Sequence, residues 1–334
     1  MSHMRDETLE SAAAVARCLR QQDLFDRLGR TLRACDPSVV LVCARGSSGH
    51  AGTFLRYLMA RDCGAVAAAA MPSIASVYHR PQRVAGALFL AISQSGRSPD
   101  LLAQTRAARA GGALTVALVN NPDSPLAEAC EHVIDIAAGP ERSVAATKSV
   151  IASCAAGLAL TAAWSGNTAM AQAAHALPAR LAQAMAYDWS ALTSLLGKVD
   201  RLFCVGRGPG LAIASEAALK LAETARVTGL AYSASELAHG PRVLAGPDFP
   251  VLGFVQQDEA EATTEALLAE LAGRGVPVLA AGATGSLPAL PPMQPDADLL
   301  PMLACFYLAA EAAAVARGLD PDHPPGLSKI TQTV

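Results

Sequence analysis

Aromatic residues make up only 4% of this chain, and Asp, Glu, Lys and Arg together only 16%. A 334-residue chain that is 52% hydrophobic with so few rings must fill its interior with Ala, Val and Leu. That length suffices for one large core or two smaller ones. The 26 basic and 29 acidic residues leave a net charge of -3, and no basic tract appears. This argues against a nucleic-acid surface or a polybasic membrane patch, and for a small-molecule partner. Long hydrophobic runs are missing as well. The longest, 65–71 and 151–164, are broken by small or polar residues and fall short of the roughly 20 residues a membrane span needs. No secretory signal precedes them. There is no C-x-x-C pair: the cysteines stand singly at 18, 35, 43, 63, 130, 154, 204 and 305, with no His at metal spacing. The pattern reads as reduced, mostly buried thiols of a cytoplasmic protein, with no metal. Met1-Ser2-His3-Met4 reads as a cloning remnant with the natural start at Met4.

What the chain does contain is a regular alternation of apolar runs, short turns and helical periodicity. Residues 5–34 read as an amphipathic helical lead-in. The run 38–44 (SVVLVCA) is continuous and bounded by Pro37 and Gly46, as for a strand buried on both faces, and a helical pattern follows over 51–61. A second such unit has a strand at 87–92, a turn at 93–98, a helix at 99–110 closed by Gly111-Gly112, and a strand at 114–119. Alternating strands and helices with short loops imply a parallel sheet covered on both sides. The order repeats about 160 residues later, with a strand at 201–205, a glycine-rich turn and a helix, then a strand at 250–255, a helix to 272 and a strand at 276–280. We therefore expect two similar α/β domains, residues 24–165 and 188–320, each a doubly wound, flavodoxin-like parallel sheet flanked by helices. Residues 1–23 would be tag remnant and lead-in, and 321–334 a C-terminal tail. The helical stretch 169–186 contains Pro178, which would break or start a helix, and the Pro-rich piece 287–295 reads as a surface loop.

The two halves differ in chemistry. The first carries hydroxyls at both strand ends, Ser47, Ser48, Ser93, Ser95 and Ser98, whereas the second has Gln256, Gln257, Asp258 and Glu259 at the equivalent turn. Ser93-Gln94-Ser95-Gly96-x-Ser98-Pro99 lies where a strand hands over to a helix, and Pro99 suits the first helical position. Free N–H groups and the positive end of the helix dipole favour a phosphate there, and serines add neutral donors. Ser98 taken alone reads as an N-cap; four polar donors in six residues do not. Carboxylates at the second turn would repel an anion. Thr147 would join the phosphate site or simply start a helix. Glu216, Lys220 and Glu223 share one helical face among Ala and Leu, which is either a solvated salt-bridge ladder or one wall of a polar cleft. Gly206-x-Gly208-Pro209-Gly210 has the wrong spacing for dinucleotide binding, and Pro209 removes an N–H.

Taken together, these motifs resemble those of the sugar isomerase (SIS) domain family in its tandem form, as in the isomerase half of glutamine:fructose-6-phosphate amidotransferase and in stand-alone sugar-phosphate deaminases. Gly46-Ser47-Ser48 and Ser93-Gln94-Ser95-Gly96 with Ser98 are similar to the family's phosphosugar loops. Val144 to Lys148 resembles the segment lining the sugar, Glu216-x-x-x-Lys220-x-x-Glu223 the catalytic helix, and Glu236-x-x-His239-Gly240-Pro241 the ring-opening loop. Pro325-Gly326-Leu327-Ser328-Lys329 resembles the tail that folds over the site.

The resemblance implies that Glu223 moves a proton between C1 and C2, that His239 helps open the ring, and that Lys329 and Lys220 steady developing charge or the open-chain carbonyl oxygen. Val144, Thr147 and Ser328 would line the substrate. It implies no organic cofactor, and a homodimer in which the His239 loop reaches the neighbouring site. Two departures are Leu230, where the amidotransferase commonly has Glu, and Ala222, where a Lys is usual. With no glutaminase segment before the lead-in, the expected reaction is glucosamine 6-phosphate and water to fructose 6-phosphate and ammonia. The alternatives are galactosamine-6-phosphate deamination, deglycation of a fructosamine 6-phosphate, or a non-catalytic sugar-phosphate sensor. A sensor needs the serine loop but not Glu223, His239 and Lys329.

Overall fold

The computed structural model describes residues 2–282 and 285–329. By contact the chain divides into two compact units, neither continuous in sequence. The first holds 13–141 and 148–175; the second holds the segment up to Ala12, 142–147 and 176–329. The sequence reading had a separate lead-in over 1–23 and continuous halves at 24–165 and 188–320, so the difference is one of exchange. The segment up to Ala12 belongs with the later half of the chain, and so does 142–147.

In the first unit five parallel strands, β1 (Val39–Cys43), β2 (Val66–Ala69), β3 (Leu88–Ser93), β4 (Leu114–Val119) and β5 (His132–Asp135), lie in the order β2-β1-β3-β4-β5. All six residues of β3, LFLAIS, are buried, as a central strand covered on both faces requires. The helix Lys148–Ser165 is buried almost all round. It packs against the helices Gln22–Cys35 and Gly46–Cys63, and small residues permit this: a Cβ on Gly157 would stand 2.3 Å from the Leu55 side chain. An interior poor in rings is thus closed by bringing helix backbones together.

The second unit repeats the topology with one strand fewer: β6 (Arg201–Gly206), β7 (Thr228–Ser233), β8 (Val251–Phe254) and β9 (Val278–Ala281), parallel and in the order β7-β6-β8-β9. Its core gathers several of the few aromatics, with Phe203 stacked on Phe249 at 4.4 Å between ring centroids and meeting Tyr232 edge-on. The helix Pro295–Ala316 is long and apolar enough to cross a membrane by length and composition, which the inspection of apolar runs did not reveal. However, 78% of its most apolar window is buried inside the protein, so it serves as a core helix.

Several local expectations change. Pro178 neither breaks nor starts a helix: Thr168–Ala184 runs through it. Burial of Met170, Ala173, Leu177 and Leu181 on one face offsets the lost N–H and the ring's clash with the preceding turn. The helix assigned to 51–61 begins at Gly46 and ends at Cys63, so Ser47 and Ser48 occupy its first turn rather than a loop. The Pro-rich piece is anchored, because Pro288 O accepts from Trp189 Nε1 at 2.9 Å and Pro291 O from Arg180 Nη2 at 2.8 Å. Residues 2–4, read as a remnant, are integrated into the second unit. Ser2 caps the helix His3–Leu9 and donates to Glu311 at 2.6 Å, and Met4 is fully buried. All eight cysteines are free thiols. Burial pushes those of Cys18, Cys43, Cys130, Cys204 and Cys305 up to about 12, so they are poor nucleophiles at neutral pH.

Candidate functional site

In the first unit the strand order reverses between β1 and β3, where an open parallel sheet leaves a crevice at the carboxyl ends of its strands. Cys43 of β1 lies beside Ala91 of β3, so the turn after each strand emerges at the same edge. Ser47 and Ser48, in the first turn of Gly46–Cys63, therefore share that edge with the loop 93–98 leading into the helix Pro99–Ala110. The loop's shape is internally determined. Gly96 N–H donates to Ser93 Oγ at 3.1 Å, and Arg97 N–H donates to Ser95 Oγ at 3.3 Å. Gly96 adopts φ +64°, and a Cβ there would stand 2.1 Å from Ser124 Oγ, so no other residue fits. Ser98 occupies the N-cap position of Pro99–Ala110, yet its hydroxyl makes no capping hydrogen bond. The simple capping role is thus unfilled, and the hydroxyl is left half-exposed at the helix N-terminus.

Sequence reasoning passed over the pair that joins the two loops. Arg45, immediately after β1, reaches Asp100 in the first turn of Pro99–Ala110, with Nε and Nη2 at 2.9 and 2.8 Å from Oδ2. Asp100 is fully buried and also accepts from Leu101 N–H at 2.8 Å. A bare carboxylate at that helix start would repel a phosphate; the guanidinium offsets its charge and ties the serine-bearing turns together. The available signal was an Arg just after one strand and an Asp in the first turn of the helix that follows its neighbour, readable only once the strand order is known.

In the second unit the helix Pro209–Lys220 passes directly into one π-helical turn, Leu221–Ala225, which ends at Arg226 in the left-handed region at φ 53°. Such turns are frequent at functional sites. The ionisable row is not a solvated ladder: Glu216 is 1% exposed and Lys220 0%. Lys220 Nζ lies 3.6 Å from Glu216 Oε1 and donates to Glu223 Oε2. Glu216 Oε1 also accepts from Tyr307 Oη at 3.0 Å, a partner on Pro295–Ala316 that no local motif announces. Glu223 alone of the row keeps partial exposure, 21% of its side chain. It opens onto a cleft of about 540 Å³ lined also by Thr224, Arg226, Asp320, His323 and Leu327.

The tail and the segment 142–147 meet. Lys329 Nζ donates to Ser143 O at 2.7 Å, and Val144 N–H donates to Asp322 O at 3.1 Å. Val144 is half-buried, Thr147 is buried, and Ser328 is exposed beside Lys329. Two unpredicted acids clamp the assembly. Glu7 accepts from the N–H of Arg142 and of Ser143, and from Ser143 Oγ at 2.6 Å. Asp322 accepts from His3 and Met4 N–H at 2.7 and 2.8 Å. His239 is not among the residues that line the Glu223 cleft. It is exposed, closes the helix Ala234–Ala238, and its ring makes no hydrogen bond among the described residues.

The two departures fall in different settings. Ala222 lines the cleft, whereas Leu230 on β7 packs against the Phe203 cluster. The second half's turn is closed on itself: Gln256 Nε2 donates to buried Asp296 at 2.8 Å, and Asp258 Oδ1 takes the N–H of Ala260 at 2.8 Å. No group of three or more His, Cys, Asp or Glu able to hold a metal is found among the described residues.

The sequence pattern of the SIS domain matches residues 35–163 and 195–283. The chain is 31% identical over 299 residues to the glutamine–fructose-6-phosphate aminotransferase [isomerizing] of Sulfurisphaera tokodaii, which covers 87% of this chain and 49% of that protein. It thus spans about half the length of the curated relatives it matches. A solved structure from Silicibacter pomeroyi DSS-3, provisionally named a phosphosugar isomerase, is 42% identical with a TM-score of 0.92, covering 96% of this chain and 100% of that one. The glucosamine-6-phosphate deaminase of Thermotoga maritima has a TM-score of 0.76 at 19% identity, covering 98% and 100% of the two chains. At that identity the likeness is one of fold.

Proposed function

Because the chain belongs to the SIS domain family, we propose that it is a phosphosugar aldose–ketose isomerase acting on an amino sugar, converting glucosamine 6-phosphate and water to fructose 6-phosphate and ammonia. The observation that carries this reading is Glu223. It is a partly exposed carboxylate at the wall of a cleft, held from behind by a buried ammonium, in a chain whose other unit presents serine hydroxyls at two helix N-termini. The name borne by the Silicibacter relative supports a phosphosugar, and that of the Sulfurisphaera relative a hexose phosphate, as the substrate class.

In this reading the 6-phosphate is bound by Ser47, Ser48, Ser93, Gln94, Ser95 and Ser98. His239 exchanges a proton with the ring oxygen as the sugar opens, a task an imidazole can perform with either ring nitrogen. Glu223 takes the proton from C2 of the open-chain aldehyde and returns it to C1, which leaves the amine as an imine on C2. Water adds to that carbon and ammonia departs, giving the ketose. Lys329 steadies the carbonyl oxygen. Lys220, being fully buried and paired with Glu216 and Glu223, acts through Glu223 rather than on the sugar. The exposed His239 loop serves the site of a second copy in a homodimer.

The test is release of ammonia, together with fructose 6-phosphate, from glucosamine 6-phosphate, galactosamine 6-phosphate and a fructose–amino-acid 6-phosphate. Glucosamine 6-phosphate should be the best substrate. Glu223→Gln should keep phosphosugar affinity and lose turnover by about 10²-fold or more, the scale of a missing general base. No release from any of the three, or unchanged turnover in the variant, would overturn the reading.

A further inference from the structure

The hydrogen-bonded row behind Glu223 does not end with Lys220. Among the described residues Tyr307 is the largest fully buried side chain, and its hydroxyl donates to Glu216 Oε1 at 3.0 Å. Glu216 in turn stands 3.6 Å from Lys220 Nζ, which also pairs with Glu223. We propose that Tyr307 is a positioning residue for the proton-transfer step: by hydrogen-bonding Glu216, it sets how Lys220 is shared between Glu216 and Glu223.

Glu216 and Glu223 compete for Lys220 inside a largely buried network. Lys220 has three N–H donors and no exposure, so its charge must be divided between carboxylates it can reach. Glu216, 1% exposed, is cut off from water and needs donors of its own. The tyrosine hydroxyl supplies one that is neutral and comes from a different helix, Pro295–Ala316. It thereby satisfies part of Glu216 without drawing further on Lys220, and more of the ammonium is left to Glu223. Without it, Glu216 claims more of Lys220. Glu223 then loses part of the cation that holds its carboxylate in place. The other charged groups around Glu223 are Arg226, Asp320 and His323, which line the cleft on its open side, and Glu311 on the tyrosine's helix is engaged with Ser2 and Arg5. The first three are unchanged by the loss of a hydroxyl on the far side of Lys220.

This inference rests on the reading of Glu223 as the proton carrier, and the experiment separates the two. Tyr307→Phe keeps the ring and removes only the hydroxyl. Turnover of glucosamine 6-phosphate should fall about ten-fold or more, as expected for a lost hydrogen bond to a charged group. KM should be unchanged. A readout independent of turnover is carbodiimide-driven amidation of Glu223 with glycinamide near pH 6, quantified by mass spectrometry against exposed Glu270. A carboxylate released from its ion pair is open to the reagent, so Tyr307→Phe should raise labelling of Glu223 several-fold and leave Glu270 unchanged. Unaltered Glu223 labelling, whether kcat stays the same or falls together with thermal stability, would overturn the positioning role. If no sugar phosphate is turned over, the proposed function fails, while the labelling still decides the role of Tyr307.

Discussion

At Ser95 the physical case for the phosphate site can be measured directly. Its hydroxyl oxygen accepts from Arg97 N–H, which leaves the O–H free to point outward. A hydrogen bond from such a donor to a charged phosphate contributes about 1.5 to 3 kcal/mol. Ser95→Ala should therefore raise the Kd for glucosamine 6-phosphate on the order of ten-fold or more, measured by titration calorimetry. Replacing Gln257 in the second half's turn should leave affinity nearly unchanged, because Asp258 and Glu259 make that turn a poor anion site. Equal weakening in the two variants, or equally tight binding of unphosphorylated glucosamine, would remove the single phosphate site. The serines were legible in the sequence because their type and their place after a strand suffice to suggest an anion. Their partners Arg45 and Asp100 were not, since 55 residues separate them and only the order of β1 and β3 makes them neighbours.

Among the elements, those bounded by strong punctuation match the reading closely. The helix Pro99–Ala110, with Pro at its first position and Gly after its last, and the strand Leu114–Val119 both fall where the sequence sets them. Where local chemistry and packing disagree, packing prevails. Gly46-Ser47-Ser48-Gly49 has the composition of a turn yet forms the first turn of a helix. Pro178 sits within a helix whose buried face outweighs its cost. The loop 93–98 makes a prediction at this scale. Gly96→Ala must hold a left-handed φ and also displace Ser124, whereas Gly64→Ala meets the same backbone strain with nothing within 4 Å. Strain alone costs about 1 to 3 kcal/mol. Thermal melts should therefore show a larger fall in Tm for Gly96→Ala than for Gly64→Ala, and only Gly96→Ala should also weaken phosphosugar binding. Equal losses would mean that Ser124 gives way freely.

For the whole molecule, the proposed dimer is tested by complementation. If the His239 loop completes the neighbouring site, Glu223→Gln and His239→Ala damage each site from different subunits. Random re-association of the two inactive variants should then restore about a quarter of wild-type activity, since half the dimers are mixed and each has one intact site. No recovery in a re-associated mixture shown to contain hetero-dimers would assign His239 to its own subunit's site.

The sequence by itself determined that there are two parallel α/β halves. It also determined that one half bears hydroxyls at its strand ends, and that Glu216, Lys220 and Glu223 share a face. These follow from local periodicity, turn chemistry and residue type, all encoded within a few turns of chain. Only the tertiary structure decided which of those charges are buried. It also decided that Tyr307 stands behind Glu216, that Glu7 and Asp322 clamp the segment 142–147 and the tail, and that the units exchange segments. The physical reason is that a carboxylate's surroundings are set by groups far away in sequence: the same Glu-x-x-x-Lys-x-x-Glu row would be a solvated ladder on an exposed helix. Burial behind another helix is what turns it into a paired cluster with one carboxylate left at a cleft wall.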